Sequence, residues 1–268
     1  MENFLAINHP HYGHISVSYY TDNCQLQVNR LVLKRKIVGE YLFTSVHTIS
    51  SDSGYYGSEI DFEYDDYYCR NNYKYQYKME FRYDYTEEGV EHSDLVHTAT
   101  VNVDSFFDVL VVCDGVEAWY TPLNVSAVNP TTIRPYSMNT PLNSKKPSYF
   151  TNGVVNYEEG TCTGVFLKMA GPENNITFDT SYNWKYRKDF KNFITLGNAK
   201  VIKTVSGEVW LVGIKTDSIT DTSLFDNAEI EGARQLEFGW FEVGEITNES
   251  DLYENDLINV PREYWNGV

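Results

Sequence analysis

The chain has 268 residues, a formal net charge of −17, 42% hydrophobic residues and an aromatic content of 15% that includes 22 Tyr and 14 Phe. That length can bury a core without external staples, the acidic balance excludes general affinity for nucleic acid, and no run of about 18 apolar residues offers a membrane-spanning helix. Aromatic side chains favour pleated, half-buried surfaces, so the composition points to sheet.

The first residues, MENFLAINHPHYGH, have neither a basic start nor a continuous apolar run. They do not read as a secretory signal, and a soluble chain made in the cytosol is expected. From Gly13 to Val46 apolar and polar residues alternate through HISVSYY, QLQVNRLVLKRK and EYLFTSVHTI. Leu26, Val28, Leu31 and Leu33 take one face, and Gln25, Gln27, Asn29, Lys34 and Lys36 take a wet one. Further on, Tyr73, Tyr75, Tyr77, Met79 and Phe81 alternate with Lys74, Gln76, Lys78, Glu80 and Arg82, and the EEG after Tyr85 is a hairpin signal. FFDVLVVCDG and VEAWY add two more strands, so residues 1–122 read as a β-sandwich.

Five of the eight prolines, Pro122, Pro130, Pro135, Pro141 and Pro147, then fall close together. They exclude a helix or a central strand, and residues 123–147 read as an ordered connector. Residues 148–247 read as a second β domain. YFTNGVVNYEEGTCTGVFLKM supplies a turn, a strand, an EEG turn and another strand, and RQLEFGWFEVGEI is a last strand around Phe238, Trp240 and Phe241. Between them, Asp217, Asp221 and Asp226 read as part of a long exposed loop, and residues 248–268 as a weakly patterned acidic tail. The predicted fold class is mainly β, an N-terminal β-sandwich plus a C-terminal β domain with one short helix followed by a hairpin.

That helix is predicted at about residues 184–196. Tyr186, Phe190, Phe193 and Ile194 recur at one-face helical spacing, and Gly197 stands where a left-handed residue stops a helix. Ser206-Gly207 is the turn of the following hairpin, with Trp210 as a core residue. Lys185, Arg187, Lys188 and Lys191 remain on the outer helix face. Positive charge in the first half of a helix opposes its dipole, so helix stability alone does not explain Lys185, Arg187 and Lys188, which leaves room for an acidic partner surface.

Other residue clusters offer candidate sites. His9, His11 and His14 lie close together, but no Cys or carboxylate completes a metal set beside them. Glu59, Asp61, Glu63 and Asp65 alternate along one strand face without the glycine loop of a calcium site, which reads as a solvated edge. Cys24, Cys69, Cys113 and Cys162 are more than forty residues apart and read as reduced, buried side chains. No hydrolase, zinc-protease, nucleotide or dinucleotide motif is present, so no catalytic residue, metal or cofactor is assigned.

Read in order, NYEEGTCTGVFL, WKYRKDFKNFITLGNAKVIKTVSGEVWLVGI and LEFGWFEVGEITNESDLYEND resemble the C-terminal half of virion structural proteins from phages of Gram-positive bacteria. LVLKRK, DFEYDDYYCRNNYKYQYKMEF and VNVDSFFDVLVVCDG resemble the fibronectin type III-like module that precedes it in that family. This chain departs by carrying SGE at the hairpin where relatives often have Asp-Gly or Asn-Gly followed by Arg. The resemblance implies a non-enzymatic tail, tail-tip or baseplate adaptor or ring subunit, made in the host bacterial cytoplasm and located in the virion. Its implied partners are other virion proteins and copies of itself, with no membrane and no specific nucleic-acid contact beyond passive contact along a DNA path. The alternative is a carbohydrate-binding module that meets a host glycan through Trp119, Trp184 or Trp265, since Trp210 and Trp240 read as core.

Overall fold

The computed structural model describes residues 3–123, 130–142, 145–151, 155–171, 175, 177–179, 183–223 and 234–265. Its strands, in chain order, begin with β1 (Asn3–His9), β2 (His14–Thr21), β3 (Arg30–Ile37), β4 (Thr44–Ser50), β5 (Ile60–Asp66), β6 (Lys74–Glu87), β7 (Val90–Asp104), β8 (Leu110–Cys113) and β9 (Ala118–Thr121). β10 (Thr131–Ile133), β11 (Tyr136–Asn139), β12 (Ser148–Thr151), β13 (Tyr157–Gly164), β14 (Lys168–Ala170) and β15 (Thr177–Asp179) lead to the helix α1 (Asn183–Ile194). β16 (Lys200–Lys203), β17 (Val209–Ser223), β18 (Arg234–Gly244) and the short helix α2 (Glu249–Glu254) follow, with a single 3-10 turn at Arg262–Tyr264. The protein is mainly β and divides into two compact units. One comprises Met1–Pro122, Val201–Trp210 and Gly244–Val268, and the other Leu123–Lys200 and Leu211–Val243.

In the first unit two antiparallel sheets, ordered β1-β2-β5 and β4-β3-β6-β7, share one core. Ile15, Val17, Tyr19, Ile60 and Phe62 enter it from the first sheet, and Leu31, Leu33, Tyr77, Met79 and Phe81 from the second. Period-two alternation makes this a sandwich, because each strand sends every other side chain inward. Glu87 pairs with Val90 across a two-residue turn in which Glu88 (φ 52°) and Gly89 (φ 82°) are both left-handed, as a right-twisting hairpin requires.

Two expectations about this unit are corrected. Gln25–Asn29 is not strand, and β3 begins only at Arg30. The Asn29 side chain donates to the Asp84 carbonyl and accepts from the Asp84 amide, which anchors it as a loop beside β6. The face predicted to be wet is also partly dry, with Lys34 and Glu80 only 4% and 3% exposed.

The cover over that face is the segment expected to be an acidic tail, which instead belongs to the first unit. Val260 and Tyr264 pack on Val32 of β3, the Glu249 carboxylate accepts from the Ser45 amide at 2.5 Å, and the Tyr264 hydroxyl donates to Asp84 at 2.9 Å. Asn248 caps α2 by accepting from the Ser250 amide, and Asn259 bonds both backbone groups of Thr48. The sequence pattern is weak here because a short cover is held by single anchors rather than by a periodic face.

β8 pairs with β9 and with Val201–Lys203 of β16. The fully buried Lys203 ammonium donates to the Gly13 carbonyl and lies 3.9 Å from the centre of the Phe107 ring. Gly13 (φ 68°) cannot be replaced cheaply, since a Cβ there would stand 2.3 Å from the Val111 side chain.

In the second unit β13 lies between β10 and β18, with Cys162 opposite Phe238, and β17 follows β18. The predicted EEG turn is absent: Glu158, Glu159 and Gly160 run straight through β13, with Gly160 facing Trp240. Asp217 and Asp221 lie in β17 rather than in a loop, and Asp226 falls outside the described residues. The proline-rich stretch supplies the edge strand β10 and half of the β11–β12 hairpin, positions where a missing amide donor costs little. α1 ends at Ile194, and Gly197 follows with φ 84°. Phe190 stacks on Phe166 at 3.9 Å and meets Phe238 edge-on at 6.0 Å, which docks the helix. No helix among the described residues is long and apolar enough to cross a membrane.

Candidate assembly surfaces

The α1 face shows what became of the basic cluster. Phe190, Phe193 and Ile194 are buried and Tyr186 is half-buried, while Trp210 of the first unit is also buried. Lys185 and Lys188 are exposed, but Lys191 and Arg187 are turned toward Asp221. Lys191 Nζ is 2.5 Å from Asp221 Oδ2, Arg234 Nε is 2.5 Å from Oδ1, and Arg187 Nε is 4.0 Å away. Burial works to raise the Asp221 carboxyl, yet hydrogen bonds and charge from Lys191 and Arg234 outweigh it, so its pKa is lowered. An acid placed by sequence in a loop thus lies against two of the four outer bases, Arg187 and Lys191. Helical spacing identifies the outer face of α1 but not the strand that lies against it.

Two further bases of the same sequence region are not surface groups. Lys200 is fully buried over the Phe193 ring at 4.3 Å, with Asn198 accepting from it, and Lys203 is buried as described. Snorkelling stems and aromatic faces accommodate such cations, and nothing in their spacing distinguishes them from exposed lysines. Beside Lys185, a pocket of about 330 Å³ is lined by Lys168, Asp179, Lys185, Tyr186 and Asp189, an even mixture of charges.

The three N-terminal histidines do not converge. His9 stacks on His14 across the β1–β2 turn at 4.8 Å, whereas His11 Nδ1 lies 2.7 Å from Asp108. Among the described residues no cluster of His, Cys, Asp or Glu is arranged to hold a metal ion. Asp61, Glu63 and Asp65 are exposed along β5, the last strand of its sheet, with Asp65 accepting from Ser16 Oγ at 2.6 Å. Cys24, Cys69, Cys113 and Cys162 are all buried and unbridged. Trp265 packs on Tyr253 and Arg262 and donates to the Val260 carbonyl, so it serves the C-terminal cover. Trp119 is half-buried, and Trp184 is the exposed indole.

Sequence reasoning missed the most concentrated buried charge, the pair of Arg35 and Asp66 at 2.5 Å. Tyr77 donates to the same carboxylate at 2.7 Å and the Tyr68 amide at 2.9 Å. Burial alone would lower the Arg35 pKa, and Asp66 reverses this, raising it instead. The network is buried and acts as a structural tie.

The surface that stands out is the β11–β12 ribbon. It forms a two-stranded sheet of its own, and all eight of its residues are exposed. Tyr136 (62%), Met138 (60%), Tyr149 (61%) and Phe150 (60%) hold large apolar side chains in water. Monomeric proteins rarely gather such residues without a use, and an isolated hairpin is marginal on its own. The aromatic count signalled sheet, but only the pairing shows that these four residues have no layer over them within the described part of the chain.

No family model and no curated protein matches the chain. Among solved structures, a chain from the tail of an empty gene transfer agent particle, obtained by helical refinement with C6 symmetry, is similar at 15% identity and a TM-score of 0.30. The alignment covers 52% of the present chain and 92% of the tail chain. A likeness of that degree does not define a common fold.

Proposed function

We propose that this chain is a non-enzymatic structural component of a bacteriophage virion, an adaptor or ring subunit of the tail, tail tip or baseplate that acts through protein–protein assembly. The ordered set of motifs that resembles such proteins supports this reading, with the docked α1 helix and the β16–β17 hairpin occupying the motif-bearing stretch. The observation that carries it is the exposed β11–β12 ribbon, a surface suited to a protein neighbour rather than to a small substrate. Lys185 and Lys188, beside exposed Trp184, form a second contact patch in this reading, while Arg187 and Lys191 serve the fold through Asp221.

Quantitative mass spectrometry of purified phage particles from a culture carrying the gene tests the reading, with antibody labelling to place the chain. Several copies per particle are expected. Intact, infectious particles that lack the chain would sink it.

A further inference from the structure

We propose that the β11–β12 ribbon is an arm that docks along the exposed first half of β7 in a second copy of this chain. The docking deepens the assembly reading and rests on it for its setting, while the two surfaces are visible in the molecule itself.

The arm lies in a stretch of unusual charge. Residues 118–157 contain no Asp or Glu and three bases, Arg134, Lys145 and Lys146, so this stretch is +3 in a chain of −17 and the remainder is −20. The ribbon also has a defined apolar side. Tyr136 and Met138 point the same way from β11, register places Tyr149 opposite Met138, and the Tyr136 and Tyr149 rings are 5.6 Å apart. Apolar side chains are therefore set among bases.

β7 offers the complement. Among the described residues it is the outer strand of its sheet, paired on one side only with β6. Val90 (57%) and Leu95 (53%) are exposed on it, and Val96 is a bulge residue without a cross-strand partner, because Phe81 pairs with His97 and Arg82 with Leu95. Alternation along the unbroken register puts Glu91 and Leu95 on one face of the strand and Val90 and Asp94 on the other, so each face sets an apolar side chain beside a carboxylate. Apolar groups among carboxylates meet apolar groups among bases, and one molecule supplies both halves at equal concentration. A second copy is thus the occupant that satisfies both surfaces together. Because arm and receptor are different patches, the contact is heterologous and propagates, closing into a ring if the rotation permits.

Sedimentation velocity and light scattering on the full chain test this with two variants. The arm variant carries Tyr136→Ser, Met138→Ser and Tyr149→Ser, and the receptor variant carries Glu91→Lys and Leu95→Lys. The wild-type chain is expected to form multimers, and each variant to be monomeric with an unchanged thermal melt. Mixed, the variants should give a heterodimer and nothing larger, since each keeps one intact surface. Should the triple substitution disturb folding, Lys145→Glu with Lys146→Glu leaves the apolar side intact and is expected to weaken self-association at least about tenfold. A monomeric wild-type chain, multimers that survive the arm changes, or a mixture that stays monomeric overturns the docking. None of these results removes the chain from purified particles, so the assembly reading stands or falls separately on the particle proteomics.

Discussion

In the β6–β7 hairpin, Tyr77, Met79 and Phe81 enter the sandwich core while Lys34, Lys78 and Arg82 all pair with Glu80 on the opposite face. In the β11–β12 hairpin the same alternation of side chains yields eight exposed residues. Both are antiparallel ribbons with aromatic residues, and local propensity does not separate them. The difference is the second layer: one hairpin is stabilised by what it buries, and the other exposes the groups with which a hairpin is normally stabilised.

The largest effect that could break this comparison is a truncation in each ribbon. Phe81→Ala should destabilise the first unit by about 3–5 kcal/mol in urea unfolding, whereas Tyr149→Ser should stay within about 0.5 kcal/mol. Equal losses would mean that the β11–β12 ribbon is covered after all.

Glu80→Gln probes the other face of β6 and should cost about 3 kcal/mol, because it leaves Lys34 buried without its counter-charge. Burial tends to raise the Glu80 carboxyl, but Lys78, Arg82 and Lys34 together hold it below its ordinary value of 4.5. A depressed carboxylate stabilises fully above that ordinary value and loses its contribution as pH falls through the folded one. Thermal melts between neutral and strongly acidic pH should therefore fall more steeply for the wild-type chain than for the variant. Parallel curves would remove Glu80 from the balance.

Gly89→Ala tests whether turn geometry or core burial holds the β6–β7 register. The left-handed conformation should cost about 1 kcal/mol, while the open space around Gly89 adds no clash. An unchanged melting temperature would show that the turn is slack. Smaller still, Asp221→Asn should cost at most about 1 kcal/mol, since the ion pairs are partly exposed. Faster amide exchange confined to α1 and β17 is its expected signature, and uniform exchange across the chain would contradict it.

The residues that carried readable signals are those with a repeating environment. Tyr75 to Phe81 alternate because a flat core lies under β6, and Phe190, Phe193 and Ile194 recur because a sheet lies under α1. The same logic could not find the C-terminal cover, where Val260 and Tyr264 act as single anchors, or the fate of Lys200 and Lys203, whose burial depends on rings far away or out of period. For the candidate surfaces, the outer helix bases were legible as a patch, but Asp221 was read as loop because TDSITDTS lacks the apolar alternation of a half-buried strand. The ribbon was hidden by its prolines, which exclude central strands without excluding an exposed hairpin.

The C-terminal cover also imposes an order on biosynthesis. β3, β4, β6 and β7 are complete once Asp104 has been made, but Val260 and Tyr264 are synthesised well after it. At ordinary translation rates that interval is about 8–30 s, during which the outer face of this sheet stands wet. A nascent sheet that waits so long for its cover is kept soluble by a charged face, and Lys34, Lys78, Glu80 and Arg82 provide one that is later closed over.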